Sequence, residues 1–407
     1  MGPMYGVRVL DLSRVLAGPW ATQMLADLGA DVIKIERPEG GDDTRGWGPP
    51  YLHDAQGRET AESAYYLSAN RGKRSVAIDL ASAAGQKLVR DLALESDVLV
   101  ENFKVGGLAR YGLGWHDLAP LNSRLIYCSI SAFGQDGPLA QAAGYDAMMQ
   151  AMGGLMSITG PAPGEPGAGP QKVGVAIVDL MAGMYAVSAI SAALYERERS
   201  GKGQHIDVAL LDTLVSWLAN QSMNFLVSGH APQRQGTAHP NIVPYQVFAT
   251  TDGELMLAVG NDSQFARFCA AAGREDLARD PRFVSNAARV RDRDVLVPLL
   301  EELLRTRSTA SWVAALQPLG VPCAPINDIA QVFAEPQVRH RGLKLSLPHP
   351  LAGQAPGVRN PIRYSRSELQ HGPAPPLLGQ HTAEVLSERL GLAAADVQGL
   401  RERGIVR

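Results

Sequence analysis

The sequence is poor in cysteine and has no excess of basic charge. Its three cysteines, Cys128, Cys269 and Cys323, stand far apart, with no CxxC pair and no Cys/His spacing of a zinc site. The 38 Lys and Arg residues are balanced by 41 Asp and Glu residues, for a formal net charge of −3. This composition argues against a disulfide framework and a metal site, and it gives no general attraction to nucleic acid or membranes. We expect reduced thiols in a cytoplasmic protein.

Segments that would direct the chain into a membrane are also scarce. Residues 1–6 carry neither a charged n-region nor an apolar h-region, so we predict no signal peptide. Residues 173–195 are apolar over the roughly 18 residues that a membrane-spanning helix needs. They are, however, built on Ala, Gly and Ser, and no second such stretch follows. We therefore expect a helix buried in the centre of a soluble protein.

Three well-known motifs are missing. The sequence has no GxSxG serine elbow and no HExxH zinc motif. Glu36 ends the second predicted strand, where dinucleotide-binding proteins place a ribose-binding acid. Residues 13–19, the loop after the first predicted strand, nevertheless lack the first two glycines of the GxGxxG fingerprint. We expect the Rossmann-like fold without a nicotinamide cofactor.

What the sequence does contain is an alternation of short apolar strands and amphipathic helices. The predicted strands are 7–12, 31–36, 97–100 and 124–130, and the predicted helices include 19–28 and 80–95. This β–α–β order indicates a mostly parallel sheet covered by helices. From about residue 240 the pattern changes to hairpin-like strands around Asp252-Gly253, followed by helices. That change predicts a second, smaller domain.

Cations recur where an anionic ligand could bind. Residues 70–74 hold three cations, and Arg37, Lys104 and Arg110 follow predicted strands. Ligands of open parallel sheets sit beyond the carboxyl ends of the strands, and Arg grips phosphate with two parallel hydrogen bonds. A solvated surface loop also explains the 70–74 cluster. Both interpretations stay open at this point.

Asp179 is the one acid in the apolar run 175–181. An Asp at this place can be a helix N-cap that accepts hydrogen bonds from backbone N–H groups. A partly desolvated carboxylate at a helix start is also suited to act as a nucleophile. Position alone does not decide between the two.

Several segments together resemble class III CoA-transferases of the CaiB/BaiF family. They follow in order through nearly the whole chain: 6–12, 17–19, 29–38, 70–75, 100–103, 144–146, 201–204, 322–325 and 376–379. The resemblance implies an α/β fold with a Rossmann-like large domain, whose parallel sheet is formed from both chain ends, and a smaller α+β domain. It also implies an interlocked homodimer.

The same resemblance implies domain boundaries. We expect the N-terminal part of the large CoA-binding domain at 1–200 and a linker at 201–235. The small domain is expected at 236–325, and a return linker with the C-terminal part of the large domain at 326–407.

The resemblance further implies a site and a reaction. It places the nucleophilic aspartate of the family on Asp179, with Tyr145 beside it to orient the acyl group. The implied CoA contacts are Val15, Leu16, Arg37, Leu67, Ala69, Asn70, Lys73, Arg74, Asn102, Phe103 and Arg110. The reaction moves CoA from succinyl-CoA or a similar donor to a carboxylic acid, through an aspartyl anhydride and an aspartyl-CoA thioester. Coenzyme A is then a substrate, and no tightly bound cofactor or metal is expected.

Two other functions stay open. The α-methylacyl-CoA racemases of the family place His where this chain has Tyr145, and a phenol with a pKa of about 10 is a poor base at pH 7. A CoA-binding protein without turnover would keep the cations and would not need Asp179.

Two differences within the family bear on the substrate. Formyl-CoA transferases that handle oxalate have Gln at the position of Leu16 and a glycine run before the small domain, and this chain has neither. Residues 236–245 are instead similar to the succinyl-CoA-dependent dicarboxylate branch. A dicarboxylate needs a cation near the nucleophile, for which Arg14, Arg45 and Arg234 are candidates.

Overall fold

The computed structural model describes all 407 residues as an α/β protein with thirteen strands. In chain order the strands are β1 (Arg8–Asp11), β2 (Asp31–Glu36), β3 (Tyr51–His53), β4 (Glu59–Ser63), β5 (Lys73–Ala77), β6 (Val98–Glu101), β7 (Ile126–Ser131), β8 (His205–Ala209), β9 (Tyr245–Ala249), β10 (Glu254–Ala258), β11 (Cys323–Pro325), β12 (Lys344–His349) and β13 (Gly353–Val358).

Eighteen α-helices complete the chain. They are α1 (Ala17–Asp27), α2 (Ala64–Ala69), α3 (Ala83–Leu94), α4 (Trp115–Leu118), α5 (Asp146–Met152), α6 (Leu155–Ile158), α7 (Ile177–Ser200), α8 (Leu210–Trp217), α9 (Ala219–Ser228), α10 (Asp262–Ala271), α11 (Glu275–Arg279), α12 (Asn286–Arg291), α13 (Arg293–Leu304), α14 (Thr309–Leu316), α15 (Ile329–Ala334), α16 (Pro336–His340), α17 (Thr382–Leu390) and α18 (Ala394–Glu402). The strands and helices predicted in the N-terminal third of the chain are confirmed to within three residues at each end.

The main sheet has six strands in the order β5-β2-β1-β6-β7-β8, and every neighbouring pair is parallel. Its central strands are apolar because both faces are covered, so that Leu10 and Leu99 have no exposed surface. The chain leaves β1 for β2 on one side, whereas β6 pairs with the other side of β1. At such a reversal, open α/β sheets bind ligands beyond the carboxyl ends of the strands.

The chain divides into two compact units. The larger unit consists of Met1–Gly154, Val173–Ser222 and Pro336–Arg407, and the smaller one of Leu155–Lys172 and Met223–Glu335. Both chain ends therefore belong to the larger unit.

The structure corrects two expectations about this unit. All six strands of the parallel sheet lie between residues 8 and 209, and none comes from the C-terminal segment of the unit. The C-terminal segment adds the antiparallel pair β12–β13, the helices α17 and α18, and a single bridge between Ile78 and Val406. The expected linker 201–235 contains regular structure, namely β8 and α8. Strand β8 pairs with β7 and is therefore part of the main sheet.

Helix α7 is the long apolar helix that the sequence predicts. By length and composition it could span a membrane, and half of its most apolar window is buried within the protein. Its small residues allow a close approach to α1: a Cβ added to Gly183 would lie 2.7 Å from the carbonyl oxygen of Ala17. Asp179 precedes Gly183 by one helical turn, so this contact holds Asp179 beside the start of α1.

The smaller unit contains the antiparallel sheet β11-β10-β9. The predicted turn at Asp252-Gly253 joins β9 to β10 and is confirmed. Phe248, Leu255 and Trp312 are fully or almost fully buried in its own apolar core.

Candidate active site

Two adjoining cavities open beyond the carboxyl ends of β1, β2 and β6, where the strand order reverses. We call the first the cationic cavity; it has a volume of about 430 Å³ and is lined by Arg14, Arg37, Phe103, Lys104, Arg110 and Tyr111, among others. We call the second the Asp179 cavity; it has a volume of about 230 Å³ and is lined by Arg14, Val15, Leu16, Asn102, Tyr145 and Asp179, among others. Arg14, Phe103 and Lys104 line both.

The cationic cavity contains three of the predicted CoA contacts, Arg37, Phe103 and Arg110. Arg37 is well exposed, and it contacts Asp43 at 2.7 Å. The Arg110 guanidinium lies 4.5 Å from the Tyr111 ring, and its Nη2 donates to the Tyr111 hydroxyl at 2.6 Å. Apolar and aromatic surface next to exposed guanidinium groups is suited to a heterocycle that carries phosphates.

Five predicted CoA contacts line neither cavity: Leu67, Ala69, Asn70, Lys73 and Arg74. Lys73 has no exposed surface, and its Nζ donates to Asp11, to the Pro19 carbonyl and to Asn70 at 2.8–3.1 Å. Arg74 pairs with the carboxylates of Asp31, Glu384 and Glu388. The reason is that residues 70–74 lead into β5, whereas the cavities lie at the other ends of the strands.

The loop between β1 and α1 is held in an unusual conformation. Val15 has φ +70°, which is strained for a β-branched residue. The Asn102 side chain clamps the preceding residue: its Oδ1 accepts from Arg14 N at 2.8 Å, and its Nδ2 donates to Arg14 O at 2.7 Å. Asn102, predicted as a CoA contact, therefore has both amide atoms engaged in shaping the cavity wall.

Asp179 is the third residue of α7 and not its N-cap, which is Ala176. The helix-cap interpretation of Asp179 is therefore wrong. Asp146, the first residue of α5, takes that role from outside the helix. Its Oδ2 accepts from Val178 N at 2.7 Å and from Asp179 N at 3.3 Å. The Asp179 side chain is thereby left to line the cavity.

The environment of Asp179 favours its protonated form. Burial, and then the nearby charge of Asp146, raise the pKa of Asp179 from 3.8 to about 7. A more basic carboxylate is a better nucleophile once ionised, and this one is ionised in a large fraction of molecules at neutral pH. Tyr145 lines the same cavity and is 68% exposed.

Of the three arginines considered for a second carboxylate, only Arg14 lines the Asp179 cavity. Its Nη1 pairs with Asp43 at 3.1 Å, and its Nε is buried without a hydrogen-bond partner. Arg45 is unsuitable because it is buried against Glu36 and Glu62 at 2.8 and 3.2 Å. Arg234 belongs to the smaller unit, where its Nε donates to Pro161 O at 3.3 Å.

Sequence reasoning missed two contributors to the site. Asp43 joins Arg14 and Arg37 across the cavity wall. Asp146 lies in the family segment 144–146, but its contact with α7 was not predicted. The one available signal was the Asp/Gln pair four residues apart at the start of a short helix. No group of three or more His, Cys, Asp or Glu side chains is arranged to hold a metal ion.

Comparison with known proteins shows which proteins the chain is similar to. Residues 4–382 match the profile of CoA-transferase family III. The chain is 51% identical to the succinate–glutarate CoA-transferase of Agrobacterium fabrum, over 95% of each chain. It is 43% identical to the human succinyl-CoA:glutarate CoA-transferase, over 99% of this chain and 90% of the relative. A crystal structure of a CAIB/BAIF family protein from Brucella suis superposes with a TM-score of 0.83 at 48% identity, covering 95% of this chain and 99% of that one.

Proposed function

This chain belongs to CoA-transferase family III, and we propose that it transfers CoA from succinyl-CoA to a dicarboxylic acid such as glutarate. Two relatives carry names that specify succinate or succinyl-CoA together with glutarate. The observation that carries the proposal is the adjacency of the cationic cavity, suited to CoA, and the Asp179 cavity, which contains a carboxylate of raised pKa.

In this proposal Asp179 is the nucleophile. Its carboxylate attacks the thioester carbonyl and the C–S bond breaks. CoA thiolate is released, and a mixed anhydride forms between Asp179 and the donor acyl group. The thiolate then attacks the Asp179 carbonyl, which releases the donor acid and forms an aspartyl-CoA thioester. The acceptor carboxylate attacks that thioester, the C–S bond breaks with release of CoA thiolate, and a second anhydride forms. Thiolate attack on its acceptor carbonyl completes the new acyl-CoA and restores Asp179.

Each attack develops an oxyanion that needs hydrogen-bond donors. The first turn of α1, beginning at Ala17, lines the Asp179 cavity and has no side-chain cap. Its free N–H groups and helix dipole favour negative charge at that place. Gly144, in the loop before Tyr145, also lines the cavity and supplies a second backbone surface.

We assign CoA to the cationic cavity, with Arg37, Lys104 and Arg110 facing its phosphates. The acyl group then extends past Phe103 into the Asp179 cavity, since that residue lines both. Val15 and Leu16 form the wall between the strained loop and α1.

We assign the distal carboxylate of the acceptor to Arg14. Its unpartnered Nε is a buried donor that a carboxylate would satisfy. The same interaction explains a preference for dicarboxylic over monocarboxylic acids, since a monocarboxylate would leave the donor unpaired.

The two alternative functions receive less support. The Asp179 cavity contains no histidine, and phenols in general are poor bases at neutral pH, which argues against an α-methylacyl-CoA racemase. A CoA-binding protein without turnover has no need for a carboxylate of raised pKa facing the acyl end of the site.

We also propose that the enzyme is an interlocked homodimer in the cytoplasm. Helices α7, α8 and α9 expose large apolar side chains, among them Tyr185, Trp217, Phe225, Leu226 and Val227. Exposed apolar surface of this extent is typical of a subunit interface. All three cysteines are free and buried, which suits a reducing compartment.

A trapping experiment tests the proposed chemistry. The protein is incubated with succinyl-CoA, treated with hydroxylamine and digested for mass spectrometry. We expect a hydroxamate on the peptide that contains Asp179, and none in Asp179→Ala, which should also be inactive. An unmodified peptide, together with an active Asp179→Ala variant, would rule out this mechanism.

A further inference from the structure

The start of α7 is fixed by a side chain from outside it. Asp146 Oδ2 accepts hydrogen bonds from the backbone N–H groups of Val178 and Asp179, at 2.7 and 3.3 Å. Because α7 has no side-chain cap of its own, these bonds satisfy two of its first-turn donors from outside the helix. The backbone position of Asp179 therefore depends on Asp146.

A second contact locks Asp146 itself. Gln150 Nε2 donates to Asp146 Oδ1 at 2.6 Å, and Gln150 Oε1 accepts from Val173 N at 2.8 Å. The chain Asp146–Gln150–Val173 thus ties α5 to the segment that leads into α7. Both side chains are buried, with Gln150 0% and Asp146 9% exposed.

The arrangement also holds two carboxylates close together. Three neutral amide groups, those of Gln150, Val178 and Asp179, donate hydrogen bonds to Asp146. The negative charge of Asp146 contributes to the raised pKa of Asp179 and also to that of Tyr65 on α2. The other ionisable groups that face Asp179 across its cavity are Arg14, Asp43, Lys104 and Tyr145.

We propose that Asp146 is a positioning residue, which fixes the Asp179 backbone and whose charge drives the Asp179 carboxylate toward its neutral acylated forms. This proposal rests on the proposed function. Ionised Asp179 is repelled by Asp146, whereas the anhydride and the CoA thioester at Asp179 carry no charge on that group. The repulsion is therefore relieved as the new bond forms, so it favours the attack of Asp179 on the donor thioester.

The two roles of Asp146 can be separated by a pair of variants. In Asp146→Asn, Oδ1 can still accept from Val178 N, but the new amide nitrogen meets the donor end of Gln150. In the double variant Asp146→Asn/Gln150→Glu, that amide donates to the carboxylate introduced at position 150, which still accepts from Val173 N. The double variant keeps a hydrogen bond between positions 146 and 150, with its direction reversed, and moves the charge one helical turn away from position 146.

The measurement is the pH profile of kcat/KM with succinyl-CoA, with thermal unfolding and Asp179 trapping for each variant. We expect the apparent pKa of the profile to fall by about one pH unit in Asp146→Asn and by a smaller amount in the double variant. Above both midpoints, kcat should fall about fivefold, or about 1 kcal/mol. The double variant should unfold at the wild-type temperature.

Two results are decisive and distinct. If both variants form the Asp179 adduct with an unshifted pH midpoint, the charge of Asp146 has no role and the inference is wrong. If Asp146→Asn is too unstable to measure, the double variant alone decides. If the wild-type protein forms no Asp179 adduct, the proposed function fails first.

Discussion

Replacing Asp179 by Asn should make the protein inactive and more stable at alkaline pH. Burial, and then Asp146, raise the pKa of Asp179 from 3.8 to about 7 in the folded state. Between those pH values the folded protein keeps a proton that the unfolded chain releases. The stability of the wild type therefore falls as pH rises from about 4 to about 7, and then levels off. Asn is nearly isosteric with Asp and never ionises, so the variant does not lose this stability as pH rises.

The size of the effect follows from the pKa change. A difference of about three units corresponds to about 4 kcal/mol as an upper limit. Because Asp179 is only partly buried and lines an open cavity, we expect about 1–3 kcal/mol. The gain in Asp179→Asn should be absent near pH 4 and complete above about pH 8.

Thermal unfolding of the two proteins in parallel, in steps from about pH 4.5 to about pH 9, measures this gain. Asp43→Asn is a matched control, since it removes an acid of the same cavity that pairs with Arg14 and Arg37 and should not stabilise the protein. An Asp179→Asn variant that is no more stable than the wild type at pH 8 would refute the electrostatic description of the site.

Three further substitutions test the assignment of ligand groups. Arg14→Gln should raise KM for glutarate about 30-fold and leave a monocarboxylic acceptor unaffected, and equal effects on both acids would contradict a role in the distal carboxylate. Arg110→Ala should raise KM for succinyl-CoA about tenfold without loss of stability, and an unchanged KM would place the CoA phosphates elsewhere. Lys73→Met should lower the free energy of unfolding by about 3–5 kcal/mol, because it leaves the buried Asp11 carboxylate without its ion-pair partner, and a fully stable variant with a raised KM would restore Lys73 to the CoA site.

The main sheet could be predicted from the sequence because local patterns determine it. Asp31–Glu36 is a short, mainly apolar run between a helix and a turn, and the predicted bounds of this strand agree with the structure. Arg37, Lys104 and Arg110 also line one cavity, as their positions after predicted strands indicate, since the carboxyl ends of parallel strands meet at one edge.

Side-chain partners that are distant in sequence could not be predicted in this way. Lys73 lies in a cluster of cations that could bind phosphate, and only the fold reveals that its ammonium group is paired with Asp11, 62 residues away. The Asn102 clamp on Arg14 spans 88 residues, and the contact of Asp146 with the start of α7 spans 32 or 33. Each depends on how separate segments pack and not on a local pattern.

The most direct test of the central claim follows an oxygen atom into Asp179. Glutarate labelled with ¹⁸O in its carboxylates is turned over with succinyl-CoA, and the peptide that contains Asp179 is then weighed. When thiolate attacks the acceptor carbonyl of the second anhydride, the bridging oxygen remains on Asp179. We predict a mass gain of about 2 Da after one turnover, rising to about 4 Da after many, on that peptide alone, and the gain requires both glutarate and succinyl-CoA. Active transfer without any ¹⁸O in Asp179 would contradict covalent catalysis by this residue.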